Sequence, residues 1–254
     1  MMNLFARLTR TPRLIRNDLL LLVLPMMLWG ALLVSRPYII KPHCQVLPGQ
    51  QSSCQAENVI KADRVALGLN SSEADGYSYF TQNLAGVLAF STPVLWHSVQ
   101  SVLGRVSLLS AMTAMTVDIN IMLQTTLWNG ALGEFTRGLT QRPRPFVYAD
   151  PAAAGPNVAH YISFYSGHTS FTAAASFALF LFFLGRGAPQ WLAGLSFVAF
   201  ELLTFSTGIF RILAGRHFVT DVLAAAVAGS AIAFMIAWLH RDPSSESSGT
   251  VTDL

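Results

Sequence analysis

Phe210-Arg211-Ile212-Leu213-Ala214-Gly215-Arg216-His217-Phe218-Val219-Thr220-Asp221 begins where one apolar run ends and stops as the next begins. His217 and Asp221 are four apart, the spacing of neighbours on one helix face. A carboxylate that accepts one ring N–H fixes the tautomer and makes the other nitrogen a better base or nucleophile. Arg211 stands six residues before His217, across a glycine, and a guanidinium fork beside an activated histidine suits a phosphate. Taken alone, such a pair is more often structural than catalytic. Its meaning depends on what the rest of the chain brings to it.

The chain has 254 residues, 52% hydrophobic and only 11% charged, with a mean hydropathy of +0.47. Soluble domains carry about 25% charged residues. The apolar residues also come in long blocks, so the expected class is all-α, a polytopic membrane protein with six transmembrane helices. The blocks lie at about 19–34, 84–103, 106–135, 166–184, 191–209 and 218–239. The third is long for a crossing of about 20 residues and is expected to project from the bilayer. Residues 1–18, with Arg7, Arg10, Arg13 and Arg16, read as a cytoplasmic segment before a retained first span. Residues 240–254 are serine-rich and read as a disordered cytoplasmic tail. Small residues around Gly229 and Ser230 suggest a close helix-packing face.

With the N-terminus inside, parity places the 35–82 loop, the 136–165 connection and the 210–217 junction on the outer side. A raw count of lysines and arginines does not favour the inside. The clustered N-terminal arginines and the two cysteines carry more weight. Cys44 and Cys54 are ten apart and can close a disulfide loop in an oxidising compartment; two unpaired thiols are the alternative. Ser72-Glu73-Ala74-Asp75 resembles a capping box leading into the second span. The apolar residues between Val59 and Leu69 suit either a surface-lying helix or a linker. Asp118 and Glu201 are costly in lipid and are expected to face the bundle interior in helix-to-helix hydrogen bonds.

Two more stretches fall on the outer side. Arg137 and Arg144 are two helical turns apart, with Pro143 and Pro145 stiffening the segment. Ser166 is placed to cap the fourth span, Gly167 lets an anion approach the free N–H groups, and His168 can move a proton there. A phosphate ester needs this combination: fixed cations, an in-line nucleophile and an acid for the leaving group. No carboxylate cluster for magnesium is evident on this side, so the simpler expectation is a metal-free covalent route without cofactor. The arginines are not gathered in one basic face with aromatics, which argues against nucleic-acid binding.

Together the three stretches resemble the signature of the type 2 phosphatidic acid phosphatase family, the lipid phosphate phosphatases, in its bacterial membrane branch. The family pattern is Lys-x6-Arg-Pro, then Pro-Ser-Gly-His, then Ser-Arg-x5-His-x3-Asp. Here Arg137 replaces the lysine, Tyr165 the proline and Phe210 the serine. The resemblance implies that His217 attacks phosphorus with Asp221 orienting it. His168 protonates the leaving oxygen and later activates water. Arg137, Arg144, Ser166, Gly167 and Arg211 hold the phosphate.

Arg142 and Arg216 lie outside the pattern and are expected either to hold a second phosphate or to meet anionic headgroups; Tyr165 is expected to line the lipid entrance or alter specificity. The partners implied are a lipid phosphate substrate and membrane lipids. The substrates considered are prenyl diphosphate, phosphatidylglycerol phosphate, phosphatidic acid and lipid A types, at a periplasmic active site in a bacterial inner membrane. The alternatives are a lipid phosphotransferase with the same phosphohistidine and a non-catalytic transporter or scaffold.

Overall fold

A computed structural model describes residues 10–44, 54–151 and 155–241. The tail from 242 onward and Arg7, both part of the expected topology, lie outside the described residues. Seven α-helices are present and no strand among these residues: α1 (Asp18–Ile39), α2 (Ser72–Val102), α3 (Leu108–Thr140), α4 (Pro145–Ala149), α5 (Gly167–Gly185), α6 (Gln190–Leu213) and α7 (Val219–Leu239). Four of them, α1, α5, α6 and α7, are long and apolar enough to cross a membrane. The chain is an all-α membrane protein in which α2 and α3 complete the bundle.

The helix limits follow local chemistry. α2 starts twelve residues before the expected apolar block, because Ser71 rather than Ser72 is its cap and accepts from the Ala74 N–H at 3.1 Å. Its 31 residues span about 46 Å, so its first turns stand beyond the hydrocarbon core. α3 is capped by Ser107 and ends where Gln141 turns left-handed at φ 43°. Between α1 and α2, two short 3-10 turns (Ala56–Asn58 and Lys61–Ala66) replace the expected surface helix. Val59 and Ala66 are buried against Phe218, so this loop roofs the start of α7 instead of lying on lipid.

α5 is the hub. It is the most buried of the four apolar helices and packs against α2, α3, α6 and α7. The approach of α7 is set by Gly229: a Cβ there would lie 2.2 Å from the Ser170 carbonyl. α1 is the opposite case, a peripheral helix that packs chiefly on α3.

Polar contacts define the two ends of the bundle. At one end Asp18 of α1 meets Asn120 and Gln124 of α3 and His240 beyond α7, each at 2.7 Å. There too Asp118 meets His97 of α2 and Arg186 of the α5–α6 turn, so its expected interior contact is present. Glu201, by contrast, has no hydrogen bond among the described residues, against expectation. At the other end the termini of α1, α3 and α6 meet the starts of α2, α5 and α7, and a cavity opens.

Candidate active site

The cavity has a volume of about 340 Å³. Arg137, Arg144, Gly167, His168, Arg211 and His217 all line it, although they come from three distant stretches. The expected convergence is therefore present for the reacting histidines and three of the arginines.

His217 is in the α6–α7 turn, just before the first residue of α7, and is 3% exposed. Its Nδ1 lies 2.7 Å from the Ser163 main-chain oxygen and 3.7 Å from Asp221 Oδ2. A carbonyl only accepts, so Nδ1 carries the hydrogen and Nε2 keeps the lone pair. The expected direct bond to Asp221 is thus replaced by the Ser163 carbonyl. The reason is local: Asp221 is the third residue of α7 and accepts the Phe218 N–H at 2.9 Å, which turns it toward the cap. Asp221 also accepts from the Ser163 hydroxyl at 2.5 Å, so it orients His217 by holding Ser163. Burial pushes His217 down to about 3; Asp221 opposes this, and Arg211 and Arg144 add to it. The ring is neutral at physiological pH, as a nitrogen nucleophile must be.

Ser166 caps α5 as expected, accepting from Thr169 N at 3.4 Å and Thr169 Oγ1 at 3.0 Å. Its hydroxyl is consumed there, and Ser166 does not line the cavity as the family pattern implies. Gly167 does. A Cβ at 167 would stand 2.8 Å from Arg137 Nη1, so the missing side chain lets the guanidinium sit over the helix N-terminus. His168 follows, with Nε2 buried and unpaired among the described residues. Tyr79 of α2 stacks edge-on against its ring at 4.4 Å between centroids.

The arginines divide by partner. Arg137 donates to Glu134 at 3.0 Å, and Arg36 of α1 pairs with the same carboxylate. Arg211 donates to Asp75 Oδ1, and Arg216 reaches Asp75 Oδ2 at 3.0 Å. The Arg144 side chain has no hydrogen bond or ion pair among the described residues. Burial lowers its guanidinium to about 9, and Arg211, Arg216 and Arg137 contribute by repulsion. A buried cation among cations is stable only if an anion joins it.

Two accessory expectations are corrected. Arg142 does not reach the cavity. It bonds Asp221 at 2.5 Å and Asp63 at 2.6 Å and lies over the Phe218 ring at 4.0 Å, so its charge is neutralised within the fold. Arg216 does line the cavity. Tyr165 is buried with its ring against Gly133 of α3, away from the cavity lining. Sequence reasoning missed Ser163, Tyr79, Glu134 and Asp63, and read Asp75 only as a cap. The one available signal was Asp75, a carboxylate on the first turn of a helix that parity places on the arginine side.

The disulfide forms: Cys44 and Cys54 are bonded, with Cα atoms 5.2 Å apart. They pack with Val147, Tyr161 and Ile162, and Ile162 lines the cavity, so the bond lies at the cavity end.

No curated protein and no solved structure matches the chain. The family model described as PAP2 superfamily matches residues 118–244, half of the chain, and takes in all three stretches that carry the expected site residues. Membership supports a phosphatase-type activity on phosphate esters. With this match over the same helices that build the histidine and arginine cavity, the chain belongs to the PAP2 superfamily.

Proposed function

We propose that the protein is a membrane phosphatase that hydrolyses a lipid phosphate or diphosphate through a phosphohistidine at His217. The observation that carries this reading is the uncompensated Arg144, buried beside Arg137, Arg211 and Arg216 in one cavity with two histidines. That excess of positive charge is complementary to a phosphate dianion and to the charge spread over its oxygens in the transition state.

In the proposed reaction His217 Nε2 attacks phosphorus while the ester P–O bond breaks. His168, which takes up a proton as the bound phosphate anion offsets the surrounding arginines, gives it to the departing alcohol oxygen. Water then attacks phosphorus and gives a proton to His168 while the P–N bond breaks, so phosphate leaves and His217 is regenerated. Arg137, Arg144 and Arg211 hold the phosphoryl oxygens with the Gly167 end of α5. Asp221 and Ser163 keep the attacking tautomer in place.

The substrate is taken to be a lipid because the cavity opens at the end of a bundle of membrane-crossing helices. The cavity end is assigned to the outer face, the periplasm in a bacterial inner membrane. The Cys44–Cys54 bond at that end supports this, since disulfides persist in oxidising compartments. Six crossings agree with it: both ends of α1 meet α3, and the Asp18 end also meets the end of α7.

The test is phosphate release by purified protein in detergent with a chelator present. Phosphatidic acid, phosphatidylglycerol phosphate, a prenyl diphosphate and a lipid A preparation are each offered to wild type and His217→Ala. Release that survives chelation and drops by at least ~10³-fold in the variant is expected. Equal release by the variant would overturn the mechanism. No release from any lipid by folded wild type would favour a transferase.

A further inference from the structure

A second cavity, of about 190 Å³, lies next to the phosphate site and shares Arg137 and Gly167 with it. From Gly167 it follows α5 one turn deeper, to Ser170 and Phe171, and it reaches Asn129 and Gly130 of α3 and Trp29 of α1. Its aromatic walls are seated on glycines. A Cβ at Gly130 would come within 2.6 Å of the Trp29 indole, and one at Gly86 within 3.2 Å of the Phe171 ring. The chain has given up side chains at both positions to bring flat apolar surfaces together.

Asn129 is one of the polar groups in that wall, with Gln82, Thr126 and Ser170. It is 4% exposed and lines the cavity. Its amide nitrogen donates to Ser170 Oγ at 3.2 Å, and Ser170 in turn donates to the Gly167 carbonyl. Its Oδ1 is buried without a hydrogen-bond partner among the described residues. A buried amide oxygen in an aromatic-walled space calls for a donor from whatever fills that space. The second cavity is where the alcohol half of a substrate falls when its phosphate sits on Gly167 and Arg137. Three residues of helix, about 4.5 Å of rise, separate Gly167 from the level of Ser170. That matches the reach of a hydroxyl two carbons from the ester oxygen.

We propose that this cavity is the leaving-group subsite and that Asn129 makes the enzyme prefer phosphate esters of hydroxyl-bearing alcohols, glycerol-like, over esters of plain hydrocarbon alcohols. The inference rests on the phosphatase reading and deepens it. A hydroxyl donates to Asn129 Oδ1. A hydrocarbon leaves that oxygen unpaired, a penalty that grows as the leaving group settles into place.

The test compares two substrates that differ by one oxygen: a monoacylglycerol phosphate, and its deoxy analogue with the free glycerol hydroxyl replaced by hydrogen. Wild-type kcat/KM is expected to favour the first by roughly 10-fold or more. In Asn129→Leu, which keeps the volume and removes the acceptor, the ratio is expected to fall to about two-fold or less. Equal wild-type rates on the two substrates would overturn the proposal, and so would an unchanged ratio in the variant. If Asn129→Leu does not fold, the wild-type ratio alone decides. Failure of wild type to turn over either substrate, or any lipid phosphate, would overturn the phosphatase reading itself. Turnover without discrimination would remove only the subsite assignment.

Discussion

The two ends of the bundle use the same side chains and leave them in opposite states. At the Asp18 end, Asp118 accepts two guanidinium bonds from Arg186 at 2.9 Å and one bond from His97 at 2.6 Å. Asp18 is surrounded by Asn120, Gln124 and His240, and Arg241 gives its terminal nitrogens to two carbonyls. Most of these contacts hold the helix ends together, while Gln124 Oε1 and Arg241 Nε are buried without a hydrogen-bond partner among the described residues. At the cavity end, among the described residues, the Arg144 side chain has no partner, Arg137 and Arg211 keep buried Nε groups unbonded, and His168 presents an unpaired ring nitrogen. A histidine, an aspartate and an arginine therefore mean little as a set. What distinguishes the cavity lined by His168 and His217 is an arginine left without a carboxylate; the cavity of about 360 Å³ at the Asp118 end is lined by Arg186 and His97, both already paired with Asp118.

The sharpest way to break this contrast is to open the closed end. Arg186→Gln leaves Asp118 buried with His97 alone and is expected to cost about 3–5 kcal/mol of stability. A large drop in thermal midpoint, with the surviving folded fraction still turning over substrate, would fit a structural role. Loss of turnover without loss of stability would show that this end takes part in the chemistry. Arg144→Gln is the reverse experiment. It removes a repelled, unpaired cation, so stability is expected to hold or rise. Activity is expected to fall about 100-fold, a change of about 2.7 kcal/mol in transition-state binding. A destabilised but active Arg144→Gln would erase the distinction between the ends.

Smaller effects refine the picture at the nucleophile. Ser163→Ala keeps the carbonyl that fixes His217 and removes the hydroxyl that ties this segment to Asp221. A loss of about 10-fold in kcat with little change in KM is expected, and no loss would return the orienting role to direct Asp221–His217 contact. The pH dependence is the finest probe. A folded histidine near 3, against 6.5 for the free group, means that the unfolded chain binds a proton the folded one refuses across that window. Stability is therefore present above about 6.5 and declines as pH falls toward 3. The His217 ring, followed by NMR in the free protein, is expected to stay neutral at pH 5. A midpoint at 6.5 would mean that it is not desolvated as described.

The nucleophile shows how far residues alone reach. His217 and Asp221 stand out by spacing, yet spacing suggested a helix face, and His217 lies ahead of the helix. The actual partner, Ser163, is 54 positions away and carries no pattern of its own. Arg142 and Arg216 illustrate the same point. Both are arginines beside the motif, and nothing along the chain tells that Arg142 will meet Asp63 and Asp221 while Arg216 faces the cavity. The Ser166 cap was legible because a cap is a contact across three residues. The start of α2 was legible in the capping pattern at Ser72-Glu73-Ala74-Asp75, one residue from the Ser71 cap, although its polar first turns stand outside the apolar block.

By itself, then, the sequence determined whatever is local or additive. Low charge and long apolar blocks call for membrane helices, the Ser166-Gly167 cap makes an anion-ready helix end, and three motifs in order mark the phosphate chemistry. The tertiary structure decided which charges cancel. Asp75 draws Arg211 and Arg216 together, Glu134 draws Arg36 and Arg137, Asp63 and Asp221 take Arg142, and the Arg144 side chain is left without a carboxylate among the described residues. That assignment depends on where helix ends meet in space: apart from Glu134 and Arg137, three apart on α3, the paired residues are separated by 79 to 141 positions and leave no period or spacing to read.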